Sequence, residues 1–155
     1  MTLHRTRLHR RGFIGGAAGA AALLMVPIPA SAATLTPEVQ AAVDAILDGR
    51  EAVAGGIELD TPGTAENGAQ VPVTVRVDSP MTAEDHVTAI HIVATRNPAP
   101  GIGTFRLTPH LSRAEVFTRI RLAEDQEFLV LAEMSDGRVL QAAARVAVSV
   151  GGCAT

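Results

Sequence analysis

Cysteine occurs once among the 155 residues, in the closing run Val150-Gly151-Gly152-Cys153-Ala154-Thr155. A single thiol cannot close an intramolecular disulfide, fill a multi-cysteine zinc site or run a Cys-x-x-Cys redox cycle. It lies beyond the last predicted strand, where chain ends are loosely held and a buried structural role is unfavourable. Gly151 and Gly152 leave the backbone free to swivel. Extended chain carries the sulfur at most about 10 Å past Val150. The local sequence offers Cys153 neither a base nor a cation. The pattern is a short flexible arm, residues 151–155, whose thiol is handed to other active sites and activated there. An intermolecular disulfide stays open as an alternative, in which the chain is an exported structural or interaction protein. A thiol oxidoreductase with its own base is the weakest reading.

The remaining candidates point away from other chemistries. All 13 basic residues are arginine, so Schiff-base lysine chemistry and a phosphate-loop lysine are excluded. Arg119 and Arg121 share one predicted strand face, with Arg106 near them in sequence, and form a candidate face for docking a partner or steering an anion. His86 and His91 are five positions apart, which on a regular strand sets them on opposite faces. His110 follows Pro109 in a predicted turn. Glu84-Asp85 and Glu124-Asp125 read as turn and loop charges. No metal site and no resident cofactor is therefore expected. Tryptophan and tyrosine are absent and only four phenylalanines are present, too few for a stacking platform on single-stranded nucleic acid.

The arm needs a rigid body behind it, and the hydrophobic periodicity supplies one. Residues 36–48 carry Val39, Ala42, Val43, Ile46 and Leu47 on one helical face, with Thr36 as N-cap, Pro37 in the first turn and Gly49 as the stop. After them the period becomes two. Strands are predicted over 52–59 (weakly), 71–77, 87–94, 103–108, 116–122, 128–134 and 139–150. Pro72 suits a strand edge or a strand start. Ser135-Asp136-Gly137-Arg138 predicts a hairpin. Seven short strands with intervening turn clusters predict an all-β fold, an immunoglobulin-like antiparallel sandwich with one short N-terminal helix. The run from Phe128 to Met134 is apolar on both faces, so its second face needs a cover, either the helix through Val43 and Ile46 or a partner subunit.

The first thirty-two residues read as an address. Arg5, Arg7, Arg10 and Arg11 precede an apolar run from Phe13 to Val26 that is short for a membrane span. Ala30-Ser31-Ala32 offers a signal-peptidase site, and Arg10-Arg11-Gly12-Phe13-Ile14 resembles the twin-arginine export motif. The expected organisation is a leader (1–32), a folded domain (33–150) and the arm (151–155), in the periplasm. Losing the leader removes four arginines and no acid, leaving nine against 16 and a net charge of −7. That disfavours nucleic acid and anionic membranes as partners.

Several segments together resemble the SoxY family, the sulfur-carrier subunit of the periplasmic thiosulfate-oxidising Sox system. They are the leader, the helix, Glu66-Asn67-Gly68-Ala69-Gln70-Val71-Pro72-Val73, Asp78-Ser79-Pro80-Met81, Asn97-Pro98, Thr118-Arg119-Ile120-Arg121-Leu122-Ala123 and Val150-Gly151-Gly152-Cys153. The resemblance implies an immunoglobulin-like sandwich paired with SoxZ, a second β-sandwich subunit. It implies that Cys153 is the covalent attachment point for thiosulfate and its oxidation intermediates. A haem enzyme (SoxAX) would load it, a hydrolase (SoxB) would remove sulfate, and in some organisms a sulfane dehydrogenase (SoxCD) would also act on it. The family commonly ends Gly-Gly-Cys-Gly-Gly; here Ala154-Thr155 replace the final glycines, and β-branched Thr155 stiffens the tip slightly.

Overall fold

The computed structural model describes residues 35–150. Helix α1 spans Pro37–Leu47. Thr36 caps it, accepting the Val39 N–H at 3.4 Å, and Glu38 lies in its positive first turn. The predicted Gly49 stop is anticipated by Asp48, which itself turns left-handed (φ 48°) and donates its N–H to the Asp44 carbonyl. An aspartate tolerates that region better than most side chains. The helix therefore ends with the last residue of its apolar face, Leu47, one residue short of the predicted span.

Nine strands follow: β1 (Ala52–Ala54), β2 (Ile57–Asp60), β3 (Thr64–Ala65), β4 (Val71–Val77), β5 (Val87–Ala94), β6 (Gly101–Arg106), β7 (Ala114–Ile120), β8 (Gln126–Met134) and β9 (Val139–Val148). They form a six-stranded sheet, in the order β1-β9-β8-β5-β6 with β3 also on β9, and a three-stranded sheet, β2-β4-β7. The two sheets pack as an immunoglobulin-like sandwich. Six of the seven predicted strands appear, 71–77 and 87–94 with the predicted ends and the other four with shifted ones. The weak strand over 52–59 is instead two strands in different sheets. Gly55 (φ 107°) and Gly56 (φ 71°) separate them. Consecutive positive-φ residues break the two-residue alternation and carry the chain across. A Cβ on Gly56 would also lie 2.9 Å from Leu140 Cδ1.

The pairing is not wholly antiparallel. β1 and β3 both run parallel to β9, at Ala52↔Val139 and Thr64↔Ala147. β3 lies within a segment whose Thr, Pro, Gly and Asn content reads as turn, because strands this short carry almost no periodicity. Pro72 sits on a strand that is central in its sheet, but near its start. β2 pairs with β4 only from Val77 to Thr74, so Pro72 breaks no bond there.

Side chains of β8 explain the doubly apolar run. Phe128, Val130 and Ala132 face the inter-sheet core with Val71, Val73, Val75, Ile90 and Ile92. Leu129 and Leu131 face the other way, against Val39 and Val43 of α1, with Val93 and Val139 beside them. The helix is the cover. Each fully buried Leu or Val there contributes about 1.5–3 kcal/mol. The hairpin forms as predicted: Gly137 has φ 89°, and Asp136 accepts the Arg138 N–H at 3.0 Å.

Candidate functional site

Gly151, Gly152 and Cys153 lie outside the described residues, as does the leader. The structure instead defines how the chain is held up to the base of the arm. The Val148 N–H donates to Asp125 Oδ1 at 2.6 Å. The Ser149 N–H donates to the Ala65 carbonyl at 3.0 Å, and the Val150 carbonyl accepts the Gly68 N–H at 2.7 Å. The Gly68 carbonyl in turn accepts the Leu122 N–H at 2.8 Å. Gly68 opens a short 3-10 turn, Gly68–Gln70, capped by Asn67, whose Oδ1 accepts the Ala69 N–H. Each residue from 148 to 150 is thus pinned by a different loop or strand. Val150 itself is 64% exposed. Asp125, read from sequence as a loop charge, fixes β9; nothing in local sequence links it to a residue so far along the chain.

Arg119 and Arg121 do come together. Arg119 stands on β7 opposite Pro72, and Arg121 lies one residue past the strand. Both are exposed. They line a groove of about 450 Å³ between β7 and the edge strand β6, with Asn97, Pro98, Gly101 and Ile102 as further walls. Neither arginine makes an ion pair among the described residues. Arg106, near them in sequence, sits across from Ala89 and is not among the groove's walls.

A buried amide pair positions this groove. Gln126 is 1% exposed. Its Nε2 donates to Asn97 Oδ1 at 2.9 Å, and its Oε1 accepts the Arg96 N–H at 2.9 Å. Asn97 Oδ1 also accepts the Ala123 N–H, and its Nδ2 donates to the Arg121 carbonyl at 2.7 Å. The Asn97 loop is thereby tied to the backbone on both sides of Leu122. Gln126 lies two residues before the predicted strand 128–134, and its role shows only in the fold.

The histidines do not converge. His86 precedes β5, whereas His91 lies within it and contacts Glu133 Oε1 (2.7 Å) and Thr104 Oγ1 (3.0 Å). Glu133 also accepts Arg50 Nη2 at 2.8 Å. Burial pushes the Glu133 carboxyl up, but hydrogen bonds from Arg50 and His91 and their charges outweigh it and hold the carboxyl below its usual range. Among the described residues no group of three His, Cys, Asp or Glu side chains could hold a metal ion. Glu124 pairs with Arg96 at 3.5 Å on the surface. No helix among the described residues is long and apolar enough to cross a membrane.

The sequence matches the family described as "Sulfur oxidation protein SoxY" over residues 43–153, a span that runs from α1 through Cys153. The chain belongs to the SoxY family. Its fold resembles the SoxY sulfur carrier protein of Chlorobium limicola f thiosulfatophilum, with 28% identity and a TM-score of 0.61 over 73% of this chain and 97% of that one. A neelaredoxin-type superoxide reductase from Ignicoccus hospitalis (14% identity, TM-score 0.53, 61% of this chain and 80% of that one) shares the fold. So does a putative superoxide reductase from Thermotoga maritima (15% identity, TM-score 0.54, 64% and 88%). At these identities the likeness to the reductases concerns the sandwich alone. No curated protein matches the sequence. Of the segments noted in the sequence, 66–73 supplies Gly68, which holds Val150, and 97–98 and 118–123 supply walls of the arginine groove.

Proposed function

We propose that this SoxY-family protein is a covalent carrier of sulfur intermediates in thiosulfate oxidation, with Cys153 as the attachment point and no catalysis of its own. The observation that carries this is the family match running through Cys153. The clamps on Val148, Ser149 and Val150 support it, since they give an arm a fixed root. Loading joins the Cys153 sulfur to the outer sulfur of thiosulfate. The new S–S bond forms with loss of the thiol proton and two electrons, which pass to a haem enzyme of the SoxAX kind. A SoxB-like hydrolase then cleaves between the outer sulfur and the sulfonate. Water supplies the fourth oxygen, sulfate leaves, and a persulfide stays on Cys153. A SoxCD-like dehydrogenase is the candidate for oxidising that persulfide. A SoxZ-like subunit is the expected partner, and twin-arginine export to the periplasm the expected route.

Replacement Cys153→Ser tests the reading. Thiosulfate oxidation by the reconstituted system should be abolished, while stability should change by no more than about 0.5 kcal/mol, as for a surface substitution. Normal turnover by the serine variant would overturn it. Intact mass of the native protein should show thiosulfate-type or persulfide adducts on the tail peptide; a protein disulfide dimer alone would favour the structural alternative.

A further inference from the structure

We infer that the groove between β6 and β7 is a parking site for this chain's own tail, residues 151–155, when Cys153 carries an anionic sulfur adduct. The inference rests on the carrier reading and adds a second position for the loaded arm.

Three observations place tail and groove within reach. The Val150 carbonyl and the Leu122 N–H are bridged by Gly68 through bonds of 2.7 and 2.8 Å. One residue of chain between those bonds limits the separation to about 9 Å. Leu122 directly follows Arg121, which lines the groove. The tail adds about 10 Å to Cys153, and Arg121 extends a long side chain of its own. The arm therefore has the length to bring its sulfur to either arginine.

Charge supplies the selectivity. A thiosulfonate adduct ends in a sulfonate, a three-oxygen anion that suits the planar donor fork of arginine. Arg119 and Arg121 have no carboxylate partner among the described residues. The acids that flank them in sequence are engaged elsewhere: Glu115 with Arg76, Glu124 with Arg96 and Asp125 with the Val148 N–H. Gly101 on β6 leaves room for a backbone to lie against the edge strand, since a Cβ there would meet nothing within 4 Å. A short tether holds its end at an effective concentration on the order of millimolar. A contact too weak to retain free anions therefore retains the tethered one. A neutral sulfur offers the arginines no charge and no set of oxygens to hold, so the arm would park when it carries the sulfonate and not when it carries an uncharged adduct.

The test uses whole protein with adducts installed chemically on Cys153. Tetrathionate gives the thiosulfonate; methyl methanethiosulfonate gives a neutral methyl disulfide. In the thiosulfonate form the amide resonances of Gly101, Ile102, Arg119 and Arg121 should shift. Tail order parameters should rise from below about 0.6 towards about 0.85. The methyl form and the Arg119→Gln/Arg121→Gln double variant should show neither change. A tail equally mobile in both adducts, an equal response to the methyl form, or a response that survives the double variant would overturn the proposal. Shifts on adding free thiosulfate while the loaded tail stays mobile would assign the groove to a free anion and overturn it too. Because the adduct is installed by reagent, these outcomes are independent of cellular loading. Native protein without adducts would sink the carrier reading alone.

Discussion

Arg50 reaches from just beyond the end of α1 to Glu133 on β8, closing at 2.8 Å, and its guanidinium also donates hydrogen bonds to the Ile46 and Leu47 carbonyls. One side chain thereby caps the helix and latches it to the sheet. The Glu133 carboxyl is held below its usual range, so its folded value lies below its unfolded one. Its stabilisation is present above the unfolded carboxylate value of about 4.3 and is lost as pH falls through the lower folded value. Melting temperature should drop as pH is lowered through that window, and the drop should be smaller in Glu133→Gln. That variant should lose about 1–2 kcal/mol at pH 7. An identical pH profile in the variant would show that Glu133 is not the group responsible.

Leu131 is fully buried between β8 and α1. Leu131→Ala should cost about 2–5 kcal/mol in denaturant unfolding, through lost burial plus a cavity under the helix. Phe117, 67% exposed on the outer face of β7, should tolerate Phe117→Ala to within about 0.5 kcal/mol.

The Asn97–Gln126 pair should behave as a unit. Gln126→Leu leaves the Arg96 N–H without its acceptor and takes one of three hydrogen bonds from Asn97, which should cost about 1–3 kcal/mol. Asn97→Ala should cost a similar amount, and the two effects should be strongly non-additive in a double-mutant cycle. Simple additivity would mean the pair does not act together.

Asp125→Ala removes the acceptor for the Val148 N–H. It should lower stability by about 1 kcal/mol, and amide hydrogen exchange at Val148 should accelerate while that at Val130, in the middle of β8, keeps close to its protection relative to global unfolding. Unchanged exchange at Val148 would mean that β9 is held by its sheet partners alone.

Much of this fold is legible in the sequence because its long strands follow the two-residue period and its helix carries a full apolar face. The doubly apolar strand from Phe128 announces the need for a cover, and Val43 of α1 provides it. What escapes detection is local and brief. β3 is too short to show a period, and the Gly55–Gly56 crossing looks like a weak point in one strand rather than a passage between sheets. At the site, the pairing of Arg119 with Arg121 follows from their two-residue spacing at the end of β7. Their groove does not, since its opposite wall comes from the Asn97 loop and β6. The anchors of Val150 depend on Gly68 and Asp125, whose roles arise only when distant segments meet.

The position of β9 has a mechanical consequence. It is bonded to β8 over eight register positions on one side and to β1 and β3 on the other. Tension applied at Val150 runs along the strand axis, so ladders on both flanks must slip in shear together rather than peel apart one bond at a time. Because β3 is parallel to β9 and sits at its exit, the last residues before the arm resist most. A pull on the chain at Val150 would therefore have to overcome both ladders at once before the sandwich unravelled.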